Sequence, residues 1–224
     1  MRLQSTFCPW AVIMAQMNIH PEPVYGNCYD KYGSKNPIVR FMMRRYMRCL
    51  HQLVGVAGVV DIHEIGCGEG HLCISLAEGG KNMRGSDISL SMVHLASERA
   101  TEAGFFIPFK KASIYHLQPE QDAAPLVLAC EVLEHLEDSQ KALEILSQLS
   151  MPYLLVSVPR EPLWRILNMA CGRYLSRYGN TPGHIQAWSK RAFLRFLSTR
   201  FDILSVATPL PWTMVLCRSR DEHA

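Results

Sequence analysis

The stretch His63-Glu64-Ile65-Gly66-Cys67-Gly68-Glu69-Gly70-His71 limits what this chain can fold into more than any other. It closes a short apolar run, Val59 to Ile65, and opens a segment of helical spacing from His71 to about Glu78. Alternating glycines at such a junction predict a tight strand-to-helix turn, with no Cβ to hold a bound molecule away from the backbone and the helix start. A structural tight turn or a dinucleotide site would also use glycines, so the turn has to be read with its surroundings.

Those surroundings alternate. Asn36-Pro37 reads as an N-cap and first helical residue, and Ile38, Met42, Tyr46, Leu50 and Leu53 follow at helical spacing. After the glycine turn, strands are expected at Met83 to Ile88, Phe105 to Lys110, Pro125 to Cys130 and Tyr153 to Val158. Helices are expected from Ser89 to Gly104 and from Asp138 to Leu149. The last part breaks the rhythm: Ser189 caps a short helix, and Phe201 to Thr208 and Thr213 to Arg218 read as an antiparallel hairpin. The fold class is therefore α/β, a Rossmann-like three-layer sandwich around a mostly parallel seven-stranded sheet with a C-terminal antiparallel hairpin.

With 224 residues, 48% of them hydrophobic, one compact domain is expected over 25–224, after a loosely ordered lead-in over 1–24. The formal net charge of +3, from 23 basic and 20 acidic residues, gives no reason to expect a nucleic-acid partner. The eight cysteines form no C-x-x-C pair and no metal-type spacing, which suits reduced thiols in the cytoplasm, and no metal set is expected. Ala11 to Ala15 is the longest aliphatic run near the N-terminus, too short for a membrane span.

Asp87 falls about 20 residues beyond the glycines, at the end of the second strand, where a carboxylate can accept from both hydroxyls of a ribose. The spacing G-x-G-x-G and the acid Glu64 two residues ahead of it differ from the nicotinamide pattern G-x-G-x-x-G. Together, EIGCGEG, the acid in GSDIS and the run CEVLEHLED resemble the signature blocks of class I S-adenosylmethionine-dependent methyltransferases, in the broad group that includes quinone-biosynthesis O-methyltransferases. That resemblance covers residues 58 to 158 well and implies S-adenosylmethionine as cofactor. It implies a binding set of Glu64, Gly66, Cys67, Gly68, Gly70, Asp87, Ile88, Ser113, Ile114 and Glu131. Glu64 and the glycine backbone would face the methionine part, Asp87 the ribose and Ile88 the adenine. Ser113 stands where the family usually has an acid or amide, so its hydroxyl or the Ile114 amide would meet the adenine amine. Pro125 replaces a frequent aspartate at the start of strand four, a position where proline is tolerated.

Methyl transfer from a sulfonium needs alignment, exclusion of water and, for a protonated acceptor, a base. His135, after strand four, and His184, in the loop before Trp188-Ser189, are the candidate bases, both near the carboxyl edge of the sheet. Either could instead serve packing, with Trp188 stapling the Ser189 cap. The absence of [DN]-P-P-[YF] after strand four disfavours a DNA base and leaves O-methylation, or C-methylation, of a small-molecule or lipid-linked acceptor. A nicotinamide-dependent oxidoreductase and a non-catalytic module that binds the same cofactor are the alternatives. No tyrosine here has a lysine four residues later, which counts against the short-chain reductases.

Two features could shape the acceptor side. Tyr25, Tyr29, Tyr32 and Lys35 precede the first helix and would form a lid or else ordinary surface packing, and an insert at about 159–188 should carry a helix with Trp164, Leu167, Cys171, Tyr174 and Tyr178 on one side. Arg165, Arg173 and Arg177 on that helix, and Arg40, Arg44 and Arg48 on the first, would be solvated basic faces or would attract an anionic acceptor or lipid headgroups.

Overall fold

The computed structural model describes residues 31–170 and 174–220. The lead-in over 1–24, Tyr25, Tyr29, Cys171 and Arg173 lie outside the described residues. Seven strands form one sheet: β1 (Asp61–Ile65), β2 (Asn82–Asp87), β3 (Phe109–Lys111), β4 (Ala124–Cys130), β5 (Ser150–Pro159), β6 (Phe201–Ala207) and β7 (Trp212–Ser219), in the order β3-β2-β1-β4-β5-β7-β6. The pairs from β3 to β5 are parallel, and β7 lies antiparallel between β5 and β6. The expected hairpin is present, and it extends the sheet.

The helices are α1 (Pro37–Ala57), α2 (His71–Glu78), α3 (Leu90–Glu102), α4 (Pro119–Asp122), α5 (Ser139–Leu149), α6 (Leu163–Ala170) and α7 (Lys190–Leu197). Alternation along the strands decides which helices share a face. Leu126 and Leu128 of β4 pack in one core with Leu50 of α1, Leu76 of α2 and Ala100 of α3. Val127 and Ala129, pointing the other way, pack with Leu146 of α5 and Phe193 of α7. Both faces of β4 are covered, which is why its sequence reads as a continuous apolar run.

Caps fix where the helices begin. Asn36 Oδ1 accepts from Ile38 and Val39 amides at 2.9 and 3.4 Å, with Pro37 as first helical residue. Ser189 Oγ accepts from Ala192 N–H at 3.2 Å, and Trp188 meets Phe193 at 5.8 Å between ring centroids, a staple between the residue before the cap and the fourth residue of the helix.

The chain departs from the sequence reading in three places. Strand three begins only at Phe109, because Pro108 has no amide to enter the ladder, and Phe106 is left 98% exposed. Pro125 is the second residue of β4, where the register slips between Ala124 and Leu126. Between β4 and α5, Leu133–His135 forms a single 3-10 turn, and α5 starts as expected after Asp138, whose carboxylate accepts from Lys141 N–H at 2.9 Å. The described part of the insert helix spans Leu163–Ala170, and Tyr174 and Tyr178 take left-handed conformations, φ 49° and 50°, on either side of the 3-10 turn Leu175–Arg177. The row Trp164 to Tyr178 is therefore not one helix face. Arg165 pairs with Glu161, and Arg177 lies in the separate 3-10 turn, so these two do not share one helix face.

Candidate cofactor and acceptor site

Strand order reverses between β1 and β4, and in an open α/β sheet the crevice beyond such a reversal is where ligands bind. The glycine turn lies on its β1 side. Gly66 and Cys67 amides donate to the Ser86 carbonyl at 2.7 and 3.0 Å, locking the turn to the end of β2. Gly66, Gly68 and Gly70 all have positive φ, of 72°, 50° and 77°. A Cβ on Gly66 would come within 2.5 Å of Val132 Cγ2, and one on Gly70 within 3.0 Å of Ala96 Cβ, so these two glycines are required by packing. At Gly68 nothing lies within 4 Å of the Cβ position. The backbone there faces open space, a cradle a side chain would fill.

Asp87 closes the cradle. Its Oδ2 accepts from the Gly68 amide at 2.9 Å and its Oδ1 from the Ser89 amide at 2.8 Å, tying the turn to the start of α3. Each oxygen keeps a second lone pair, so the carboxylate can still take both hydroxyls of a ribose. Ile88 and Leu90 beside it are 54% and 48% exposed, an aliphatic surface suited to an adenine face. Ser113 Oγ caps the turn Ile114–His116 by accepting from Tyr115 N–H at 3.4 Å, next to the end of β2, where Ala112 donates to the Asp87 carbonyl at 2.9 Å. Ile114 itself is buried.

Glu64 lies between Gly85 and Leu128 in the sheet and is 2% exposed. Burial pushes its carboxyl up to about 8, only partly offset by the Cys73 thiol, which donates to Oε2 at 2.9 Å. It sits beneath the turn as a largely desolvated acid, with Cys67 also buried beside it.

On the β4 side, Glu131 has φ 58°, rare for a residue with a side chain, and its amide is held by the Ser157 carbonyl at 2.8 Å. Its carboxylate meets Lys31 Nζ at 2.6 Å, with both side chains largely shielded. The next residue, Tyr32, stacks on His71 at 4.1 Å between centroids. Lys31 and Tyr32 thus span from the end of β4 to the start of α2, and Tyr32 is the described part of the tyrosine-rich segment. Neither contact could be read from sequence, because each joins residues far apart in the chain.

An aromatic row leads away from this point. Tyr46 meets Trp212 at 5.0 Å, Trp212 meets Trp164 at 6.0 Å, and Trp164 lies 6.1 Å from His184, which meets His135 edge-on at 5.0 Å. The two histidines expected separately are therefore one pair. His135 Nδ1 is 3.0 Å from the Gly183 carbonyl, which can only accept, so Nδ1 is the donor and Nε2 is the nitrogen that holds the lone pair in the neutral ring. Burial, then the neighbouring His135, lowers His184 to about 4.

Beneath the pair, the Glu134 carbonyl accepts from Ile185 and Gln186 amides at 2.8 and 3.0 Å and fastens the insert. The Glu134 carboxyl is 1% exposed, with neither oxygen hydrogen-bonded, and burial raises its pKa well above the ordinary value. One carboxyl oxygen of Glu134 and one ring nitrogen each of His135 and His184 lie within 4.8 Å of one another, a set that could hold a metal ion. The spacing of histidines and acids along the sequence did not reveal it, because His184 arrives from the insert.

A Rossmann-like sheet with a glycine cradle and a ribose-type acid at its reversal point defines a nucleoside-cofactor fold. Residues 62–152 match the family model described as a methyltransferase domain. The chain is similar to ubiquinone biosynthesis O-methyltransferases of Photorhabdus laumondii, 26% identical over 58% of this chain and 55% of that one, and of Nitrosospira multiformis, 31% identical over 41% and 39%. The matched segments thus span about half the length of these relatives or less. Among solved structures it is similar to magnesium protoporphyrin IX methyltransferase from Synechocystis PCC 6803 with bound S-adenosylhomocysteine, at TM-score 0.63 and 19% identity over 84% of this chain and 89% of that one. The match to the methyltransferase-domain model covers residues 62–152, and the fold is that of S-adenosylmethionine-dependent methyltransferases, the family that the sequence resembles. The open cradle at Gly68, the Asp87 carboxylate and the aliphatic Ile88 fit the cofactor of that family.

Proposed function

We propose that the chain methylates a hydroxyl oxygen of a small-molecule or lipid-linked acceptor, with S-adenosylmethionine as donor. The observation that carries the donor half is the Asp87 carboxylate held by two amides beside a glycine whose Cβ position is open. The bound cofactor supplies a methyl group already activated on a sulfonium. What the chain adds is placement. The amides around Gly66–Gly68 and the Asp87 carboxylate hold the donor, Ile88, Ser113 and Ile114 surround its adenine, and Glu131, with Lys31, borders the methionine end. His184, whose burial keeps it neutral, or His135 through its Nε2 lone pair, takes the proton that the acceptor hydroxyl gives up. O-methylation rather than C-methylation is favoured by the similarity to ubiquinone biosynthesis O-methyltransferases.

Calorimetry with S-adenosylhomocysteine and, separately, NADH tests the donor site. Asp87→Ala should weaken the thioether by about tenfold or more, the loss of hydrogen bonds to a charged group. NADH binding in place of S-adenosylhomocysteine would make this a nicotinamide enzyme.

The unpaired, buried Glu134 carboxyl under His135 and His184 favours a second reading of the acceptor side. Here the three residues hold a divalent cation, which would lower the pKa of an acceptor hydroxyl and make a free histidine base unnecessary. Chelation separates the two. Turnover that disappears with a chelator and returns with added divalent ion supports the cation, and chelator-insensitive turnover leaves the histidines as bases.

A further inference from the structure

The outer face of α1 takes no part in the site just described. We propose that it docks the protein on an anionic lipid bilayer. α1 carries four arginines and no acidic residue along its 21 residues. At 100° per residue, Phe41, Arg44, Arg45, Arg48, Gln52 and Val56 fall on one stripe, opposite the buried Met43, Tyr46, Leu50, Leu53 and Val54. The stripe is open: Phe41 is 54% and Val56 65% exposed.

The charge on it is uncompensated. Among the described residues, ion pairs engage Arg99, Arg165, Arg200 and Arg220, but not Arg44, Arg45 or Arg48. The Arg45 guanidinium instead lies 5.9 Å from the Phe41 ring centroid, and these two with Arg44 and Arg48 line a shallow recess of about 330 Å³. A recess bounded by guanidinium groups is complementary to phosphate.

The source of that phosphate follows from the apolar residues. A helix about 30 Å long with arginines flanking an exposed aromatic, and an aliphatic further along the same stripe, can seat its charges among headgroups and its apolar side chains at the acyl boundary. A nucleic-acid backbone would satisfy the arginines but offers nothing to bury Val56. The position of α1 gives docking a use. It starts at Pro37, a few residues beyond the Lys31–Tyr32 segment that spans the site, so a short stretch of chain joins its N-terminal end, with Phe41 in the second turn, to the residues bordering the crevice. A lipid-linked acceptor would then meet the site from the membrane. That consequence rests on the proposed methyl transfer, whereas the docking itself does not.

Co-sedimentation of the full chain with phosphatidylcholine vesicles, with and without phosphatidylglycerol, is the test. Binding is expected only with phosphatidylglycerol, and is expected to survive excess inorganic phosphate. Each arginine replaced by glutamine should weaken it about fivefold, the equivalent of roughly 1 kcal/mol near an anionic surface, so R44Q/R45Q/R48Q should lose about a hundredfold. Phe41→Ser should weaken binding without changing its dependence on phosphatidylglycerol. S-adenosylhomocysteine binding by the triple variant should match the parent, which separates loss of docking from failure of the donor-site reading. Equal binding to both vesicle types, no binding to either, an unaffected triple variant, displacement by inorganic phosphate, or displacement by single-stranded RNA would each overturn the proposal. The last of these would mark the stripe as a nucleic-acid surface.

Discussion

At the scale of single residues, the glycine turn separates folding from binding. Gly66 and Gly68 both have positive φ, but a methyl group on Gly66 meets Val132 at 2.5 Å while one on Gly68 meets nothing within 4 Å. Gly66→Ala should therefore cost stability, about 1–3 kcal/mol of overpacking added to backbone strain. Gly68→Ala should cost only the strain, about 1 kcal/mol, and instead lower S-adenosylhomocysteine affinity by about tenfold or more as its methyl enters the cradle. Urea unfolding and calorimetry on the two variants check this contrast, and equal loss of affinity in two equally stable proteins would refute it. The sequence pattern marked all three glycines alike. Only the neighbours brought by β4 and α3 show that they do different things.

At the scale of elements, helix starts and alternating strands follow local rules and were legible. Asn36-Pro37, Ser89 and Ser189 each cap the helix expected of them. The insert was misread because apolar residues at helical spacing do not report a left-handed residue, and Tyr174 and Tyr178 break what periodicity suggests is continuous. A buried side-chain hydrogen bond ties α1 to the sheet: the Tyr46 hydroxyl is 2.7 Å from Ser157 Oγ. Tyr46→Phe removes a partner there and should destabilise by about 1–2 kcal/mol. In a chain of this size the melting temperature should then fall by roughly 2–8 °C. Cofactor affinity is expected to stay at the parent value, since the change lies in the helix-to-sheet contact.

At the scale of the whole molecule, stability should depend on acid through a group outside the site. His63 on β1 is 1% exposed, with Nδ1 2.8 Å from the Asp122 carbonyl and Nε2 3.1 Å from Ser86 Oγ, so it crosses from β1 to β2 and α4. The carbonyl fixes the proton on Nδ1 and leaves Nε2 to accept from the serine. Burial, reinforced by the nearby Arg84 and Lys110 cations, lowers its pKa to about 4. Since the folded value is below the unfolded value of about 6.5, the unfolded chain takes up a proton in the window between them and the folded chain does not. Stability from neutral His63 is thus intact above about pH 6.5 and declines as pH falls towards about 4, by up to roughly 3 kcal/mol. His63→Asn should flatten that part of a plot of urea midpoint against pH. A variant with the slope of the parent would place the acid sensitivity elsewhere.

What the sequence by itself determined was whatever depends on neighbours along the chain. That covers the strand-turn-helix unit, the helix caps, the alternation that makes an α/β sheet, and the acid at the end of β2. These are set by backbone conformation and period, which act over a few residues. Only the tertiary structure decided that His135 and His184 are one pair over an unpaired Glu134, that Lys31 holds Glu131, and that the arginines of α1 face outward without acids. Each of those depends on distance across the reversal point of the sheet or on the orientation of a packed helix. Burial and electrostatic pairing arise when remote segments meet in a medium of low dielectric, and spacing along the chain carries no record of that meeting.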